Sequence, residues 1–415
     1  MGKNCFFGLV VGLACLLALG GCGPQWAELP GVDALAEVNE LPDPFIMNDG
    51  GRVATRADWA KRREEIKEMM LYYQYGHMPP APAEVRARVL SSAVAFNGAA
   101  VKKHVLLTIV PEKNILPFGR EEKFNMSVGM VIPVGRGPFP VILKNDREIL
   151  SVPIAEEIVR RGYIVADYAR IDLDPDGDNI VGAAQKAYPE YDWATLAVWA
   201  WGGMRVIDYL VTLDEVDREK IVFTGHSRGG KTALLAGALD ERIAITVPNG
   251  SGCGGAGCYR DTDEKAESLE QITDPKRFGY WFSPRFRDFA GRETRLPFDQ
   301  HFLKALVAPR ALLSVDAFGD LWANPKGTQR SHCGAQPVFE WLGAKDKLGI
   351  YFRQGGHAQS EDDWRTLVDF ADKVFFGKEP ASGKTFDKLP FPYMPVEYSW
   401  SAPKDHGQRR QKFRQ

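Results

Sequence analysis

Gly225-His226-Ser227-Arg228-Gly229 closes an apolar run at residues 220–223 and precedes a helical run at residues 232–239. A serine between two glycines on a tight strand-to-helix turn is the mark of a nucleophile elbow, which lifts the hydroxyl off the edge of a sheet. The glycines are needed because backbone passes close to backbone in such a turn, where a Cβ would collide. In a chain with 41 glycines the five-residue pattern is weak by itself. Its weight comes from the flanking strand and helix, and from the partners further along the chain.

From residue 139 onward, short apolar runs alternate with helical stretches. Strands are expected at residues 140–143, 163–169, 220–224, 243–247, 311–315 and 348–352, and helices at 154–161, 193–213 and 361–376. Runs this short and apolar between helices belong to a parallel sheet covered on both faces. Upstream, residues 86–95, 104–110 and 124–132 alternate as a leading antiparallel group. Residues 58–73 carry helical periodicity through Trp59, Ile66, Met69 and Met70. The expected fold is an α/β-hydrolase, with a mostly parallel central sheet sandwiched between helices and N-terminal antiparallel strands.

The first residues read as a lipoprotein signal peptide, residues 1–21: a charged start, an apolar core at 5–19, then Leu19-Gly20-Gly21-Cys22. Cys22 would be lipidated and become the new N-terminus. The core is too short to favour a permanent spanning helix, while a diacylated cysteine supplies the two chains that stable anchoring needs. A lipoprotein facing an extracytoplasmic space is therefore expected, on the outer-membrane, periplasmic or cell-surface side. Residues 22–52 read as a tether and N-terminal segment, 53–380 as the catalytic domain and 381–415 as a peripheral tail.

The composition, 45% hydrophobic and 26% charged, is ordinary for a globular protein, and a monomer is expected. A net charge of −2 gives no footprint for nucleic acid. Cys5 and Cys15 leave with the signal, so Cys253, Cys258 and Cys333 remain; in an oxidising compartment one pair can bridge. The Cys and His spacings do not suit a structural zinc site. Asp172-Leu-Asp-Pro-Asp-Gly-Asp178 partly mimics a calcium loop but lacks the glutamate at the twelfth position, and is read as a loop near the site. No metal and no cofactor are expected.

A serine hydroxyl is a poor nucleophile until a base takes its proton. Among seven histidines, His357 follows the strand at 348–352 through Gln354-Gly355-Gly356 and precedes the last helix. That puts it on the same sheet edge as Ser227, late in the chain as hydrolase order requires. His301 and His332 remain alternatives. His226 adjoins the serine, but its side chain is expected to point away. The acid should follow the strand at 311–315, where Asp320 in Phe318-Gly319-Asp320-Leu321-Trp322 is favoured and Asp316 is the alternative. Its task is to hold the imidazole tautomer and stabilise the imidazolium. Arg228 can add a guanidinium to the backbone donors of an oxyanion hole. A cation at a helix start is otherwise slightly unfavourable, which points to function.

Gly225-His-Ser-Arg-Gly-Gly-Lys231 and Gly237-Ala-Leu-Asp-Glu-Arg242 resemble the nucleophile segment of glucuronoyl esterases, carbohydrate esterase family 15, bacterial branch. The resemblance continues through Tyr75-Gly-His-Met-Pro79, Asp192-Trp193, Ala200-Trp-Gly202, Ser251-Gly-Cys-Gly-Gly255, Tyr280-Trp-Phe282, Leu296-Pro-Phe-Asp-Gln-His301, Ala308-Pro-Arg310 and Gly319-Asp-Leu-Trp-Ala-Asn-Pro325. It spans roughly residues 41–378. It implies cleavage of the ester between a glucuronate on xylan, often its 4-O-methyl form, and an alcohol of lignin. It also implies Ser227 as nucleophile, His357 as base and Arg228 as oxyanion partner, with Lys231, Glu267 and Trp322 contacting the sugar. Some members carry the acid just before the Ser-Gly-x-Gly-Gly segment; Gly250 stands there, which leaves Asp320. Cys258 and Cys333 resemble a pair bridged in fungal relatives, so the resemblance implies a disulfide between them, with Cys253 left over. Rival readings are an esterase of other specificity, acetyl-xylan or pectin-type, and a catalytically silent carbohydrate-binding lipoprotein.

Overall fold

Val141 and Leu143 pack into one buried apolar cluster while Ile142 between them packs into another, and Ile221-Val222-Phe223 repeats the split. Side chains alternate faces along a strand, so the two clusters lie on opposite faces of one sheet. Both faces being dry, these strands must be apolar throughout. The computed structural model describes residues 24–112, 123–147, 152, 154–178, 180–260, 263–394 and 398–404. The signal segment and Cys22 lie outside the described residues.

The leading strands β1 (Glu84–Ala95), β2 (Ala100–Val110) and β3 (Phe124–Pro133) form an antiparallel group. The parallel set is β4 (Phe139–Lys144), β5 (Ile164–Tyr168), β6 (Val216–His226), β7 (Ile243–Asn249), β8 (Ala311–Ala317) and β9 (Leu348–Arg353). β3 joins the two groups by pairing antiparallel with β5. The sheet order is β1-β2-β3-β5-β4-β6-β7-β8-β9. This is the expected α/β-hydrolase architecture. The parallel strands end at one edge, and Ser227, Asp320 and His357 all lie just beyond it, where open α/β sheets carry their sites.

The helices are α1 (Arg56–Met70), α2 (Ala155–Arg160), α3 (Ala183–Ala187), α4 (Thr195–Leu210), α5 (Arg228–Leu239), α6 (Leu269–Thr273), α7 (His301–Val307), α8 (Pro325–Trp341) and α9 (Glu361–Phe376). One apolar cluster gathers side chains of α1, α4, α5, α7 and α8, and the other those of α2 and α9. α9 starts where the sequence suggests because Ser360 and Asp363 close a capping box, and it stops at Gly377 with φ 65°. Among the described residues no helix is long and apolar enough to cross a membrane.

The chain ends depart from expectation. Val32, Leu41 and Phe45 of the expected tether are buried on the body. The tail is not peripheral over its described residues. The Phe386 carbonyl accepts from Ile350 N–H at 2.9 Å, and the Gln329 amide brackets the Phe391 backbone with two 2.7 Å bonds. Trp400 Nε1 donates to the Leu41 carbonyl at 2.7 Å. Aromatic side chains bury enough apolar surface to hold a segment whose other residues are polar.

Candidate active site

Ser227 has φ 56° and ψ −123°, a conformation that costs free energy in an L-residue and persists only where its surroundings enforce it. Its N–H donates to the Asn249 carbonyl at 2.9 Å, and its carbonyl accepts from Gly230 and Lys231 at 2.8 and 3.1 Å. A Cβ on Gly225 would lie 2.3 Å from the Gly229 carbonyl oxygen, and one on Gly229 would lie 2.5 Å from Asn145 Oδ1. Both glycines of the motif are therefore steric requirements. α5 begins directly after the nucleophile. With Gly230 and Lys231 bonded to the Ser227 carbonyl, the Arg228 and Gly229 amides stand at the positive end of α5, next to the nucleophile in the chain.

His357 Nδ1 lies 2.7 Å from Asp320 Oδ2, an acid whose side chain is 3% exposed. That contact selects the Nδ1–H tautomer and leaves Nε2 as the basic nitrogen. The two loops are stitched together, with Phe318 N–H on the Arg353 carbonyl at 3.0 Å and Gly319 N–H on the Gly355 carbonyl at 2.9 Å. Asp320 is itself fixed by Ala323 N–H on its Oδ1 at 3.3 Å. Asp316 belongs to β8, 2% exposed, and burial pushes its pKa up to about 7 against the opposing pull of the Thr328 hydroxyl and the Lys304 charge. His301 and His332 are buried in α7 and α8, where desolvation lowers them to about 4 and about 3. His301 Nε2 is tied to the Pro42 carbonyl at 2.8 Å.

His226 does not point away. Its ring centroid is 4.5 Å from that of His357, and its Nδ1 is 2.6 Å from Asn249 Oδ1. Gly250 makes the room, since a Cβ there would sit 3.1 Å from His226 Cε1. The same Cβ would lie 3.5 Å from Asp320 Oδ2, so positions 250 and 320 open onto one spot. Burial, then the neighbouring His357, lowers His226 to about 4, so it stays neutral.

The Arg228 guanidinium carbon lies 4.7 Å from the centroid of the Trp281 ring, and its Nη1 donates to Asp176 Oδ2 at 2.5 Å. Asp176 Oδ1 also accepts from Tyr280 Oη at 2.9 Å and Trp281 Nε1 at 3.0 Å. The acidic loop is wired to protein donors in the same way at Asp172, which accepts from Ser127 N–H, and at Asp174, which accepts from Gly182 N–H and Thr195 Oγ1. Among the described residues no group of three or more His, Cys, Asp or Glu is arranged to hold a metal ion.

Lys231 and Glu267 meet in a buried ion pair at 2.6 Å. Lys231 Nζ also donates to the carbonyls of Ser251 at 2.8 Å and Cys253 at 2.5 Å. An ammonium has three donors, so Lys231 is saturated by the protein and reaches the site as the partner of Glu267. Glu267 N–H donates to the Trp322 carbonyl at 2.9 Å, and the Trp322 side chain is exposed. The three positions implied to contact sugar are thus connected.

The Cys258–Cys333 disulfide is not formed; both residues are buried thiols, as is Cys253. The segment runs against α8 with Ser331 Oγ on the Ala256 carbonyl and Cys258 N–H on the Gly327 carbonyl at 3.2 Å. Cys258 is thereby pinned near the start of α8. Burial raises the pKa of the Cys333 thiol and keeps it in the unreactive protonated form. Asn145, Asn249 and Asp176 were not identified as site residues from the chain. Only Asp176 lay in a segment that drew attention, the acidic loop.

The family model described as "Glucuronyl esterase, fungi" matches residues 117–343. A carbohydrate esterase from an unknown prokaryotic organism is 31% identical over 395 residues, covering 81% of this chain and 90% of that protein. A 4-O-methyl-glucuronoyl methylesterase 1 of Wolfiporia cocos is 32% identical over 363 residues, covering 84% of each. The solved structure of a carbohydrate esterase family 15 glucuronoyl esterase from Caldicellulosiruptor kristjansonii superposes with a TM-score of 0.76 at 31% identity, covering 90% of this chain and 99% of that one.

Proposed function

The chain belongs to the glucuronoyl esterases, carbohydrate esterase family 15, and on that premise we propose that it hydrolyses 4-O-methyl-glucuronoyl esters linking glucuronoxylan to lignin alcohols. Ser227 Oγ attacks the C6 ester carbonyl while His357 Nε2 removes its proton. The Arg228 backbone amide at the start of α5 and the Arg228 guanidinium stabilise the tetrahedral oxyanion. Asp320 stabilises the imidazolium without itself taking the proton. Collapse expels the alcohol, which leaves with the proton from His357, and an acyl-enzyme remains on Ser227. Water, deprotonated by His357, then attacks the acyl carbonyl; the free uronic acid departs and the serine hydroxyl is restored. The chemistry uses side chains and backbone alone.

The observation that carries this reading is the 2.7 Å His357–Asp320 contact at the strand edge that also bears the strained Ser227 elbow. Lys231, Glu267 and the exposed Trp322 support a sugar subsite beside it. The test is a kinetic panel of benzyl glucuronate, benzyl galacturonate and acetylated xylan on a soluble form starting at residue 24. Turnover of benzyl glucuronate that falls by ~10⁶ in Ser227→Ala supports the assignment. Acetate release without glucuronate turnover would favour an acetyl-xylan type of esterase. Absence of both turnover and fluorophosphonate labelling at Ser227 would favour a silent binding protein.

The Leu19-Gly20-Gly21-Cys22 pattern supports a lipidated enzyme held at a membrane outside the cytoplasm. Palmitate labelling that disappears in Cys22→Ala is the expected result. Labelling that persists would remove the anchor from Cys22.

A further inference from the structure

Arg228 follows the nucleophile, yet a guanidinium on a long side chain carries rotamer entropy that must be lost before it can act at one point. Its side chain is 34% exposed, so packing alone does not hold it. What holds it is a cradle from two parts of the chain, the Asp176 loop and the Tyr280–Trp281 segment. The Trp281 ring lies 4.7 Å from the guanidinium carbon, and Asp176 Oδ2 takes Nη1. The carboxylate is in turn fixed by Tyr280 Oη and Trp281 Nε1 on its other oxygen. The loop that carries Asp176 is stapled by Asp174, which accepts from Gly182 N–H at 2.9 Å and Thr195 Oγ1 at 2.5 Å, while Trp199 Nε1 donates to the Asp174 carbonyl at 2.8 Å. Burial raises the Asp176 pKa, but the Trp281 N–H, the Arg228 charge and the Tyr280 hydroxyl outweigh it, and the carboxylate stays ionised. An isolated surface ion pair is worth little. Here one carboxylate meets three donors from two segments, which fixes its geometry.

We propose that Asp176 is the positioning residue for Arg228: it clamps the guanidinium on the Trp281 face through Nη1, so that the remaining N–H donors are preset toward the oxyanion beside Ser227. Electrostatic stabilisation is effective only when the donors stand in place before charge develops, and Asp176 supplies that order. It acts through Arg228 and touches no reacting atom. The proposal rests on the reading of Arg228 as an oxyanion partner.

The test is a double-mutant cycle on benzyl glucuronate with Asp176→Asn and Arg228→Ala, each checked for an unchanged melting temperature. Asp176→Asn is expected to lower kcat about tenfold with KM within about twofold, and to change kcat less than twofold once Arg228 is already alanine. Equal losses in both backgrounds, or a loss confined to KM, would overturn the proposal while leaving the role of Arg228 standing. An unchanged kcat in Arg228→Ala would instead overturn the oxyanion reading, and the proposal with it. If Asp176→Asn does not fold, Tyr280→Phe, which removes one of the donors on Asp176, serves in the same cycle. It is expected to give a smaller kcat loss that vanishes in Arg228→Ala, and a loss that persists there overturns the proposal.

Discussion

Asp316 and Asp320 stand four positions apart at the end of β8, yet only Asp320 can serve His357. From the chain alone the choice stays open, because both are carboxylates at the right strand end and nothing in their spacing says which face each takes. The fold decides it: Asp320 has left the strand and meets His357 Nδ1 at 2.7 Å, whereas Asp316 is still in β8, buried near Lys304. Asp320→Asn should therefore lower kcat by ~10⁴, as loss of the correct tautomer does in such triads, while Asp316→Asn keeps kcat within a few-fold. The two also separate by stability. Asp316 releases its proton near pH 7 when folded, against an ordinary value of 3.8, so the folded state holds the extra proton between these limits. Wild-type stability then falls as pH rises through that window, and asparagine, with no proton to lose, does not share the fall. Urea denaturation at pH 5 and pH 7 should show the difference between the two proteins moving in favour of Asp316→Asn by roughly 2–3 kcal/mol; a pH-independent difference would contradict the buried-acid assignment. Ser227 and His357 were legible because a motif and a chain order specify them. Asp176 was not, since its role exists only once a distant loop is folded against Arg228.

The elements flanking the elbow were legible because their apolar residues repeat at the period of a strand or a helix. α7 and α8 were not. Every residue of α7 is buried, so it has no polar face to reveal a period. α8 contains Gly327, Gly334 and Pro337, which read as breakers, yet Asn324 caps it and Pro325 occupies its first turn. Gly334 is there for contact, as a Cβ would lie 2.8 Å from Leu41 Cδ1 and 3.0 Å from His301 Cβ. The same logic governs Gly237 in α5, where a Cβ would meet Thr246 Oγ1 at 2.0 Å and Cγ2 at 2.5 Å. Alanine is worth ~1 kcal/mol more than glycine within a helix. Forcing a methyl into that contact means moving α5 off β7, and overpacking of this kind costs ~1–3 kcal/mol. The steric effect should win. Gly237→Ala is expected to lower the urea midpoint, and because Ser227 is the N-cap of α5, kcat should fall with it. Adding Thr246→Ala should restore most of both; a single variant with unchanged or raised stability would refute the close contact.

At the scale of the molecule, the chain ends are fastened to the body by contacts that composition conceals. Pro and basic residues made residues 381–415 look peripheral, while Phe386, Phe391 and Trp400 supply the packing. The N-terminal segment is held in part by a titratable group. His77 lies between Asp192 Oδ1, 3.0 Å from its Nδ1, and Glu68 Oε1, 3.1 Å from its Nε2, and the Trp26 ring stacks on it at 4.2 Å. The imidazole thus joins the chain near the expected anchor to α1 and to the loop before α4. Burial works against its charge, but Asp192 and Glu68 outweigh burial, and its pKa is raised above the ordinary 6.5. For a base whose folded pKa is raised, the stabilisation is fully present below the unfolded value and is lost as pH climbs through the folded one. His77→Gln, which keeps hydrogen-bonding capacity but cannot carry charge, should therefore destabilise the protein more at pH 6 than at pH 9, by roughly 1–3 kcal/mol at the lower pH. Urea denaturation of both proteins across that range measures it. Equal destabilisation at the two pH values would mean that His77 holds the segment by packing against Trp26, with no contribution from its charge.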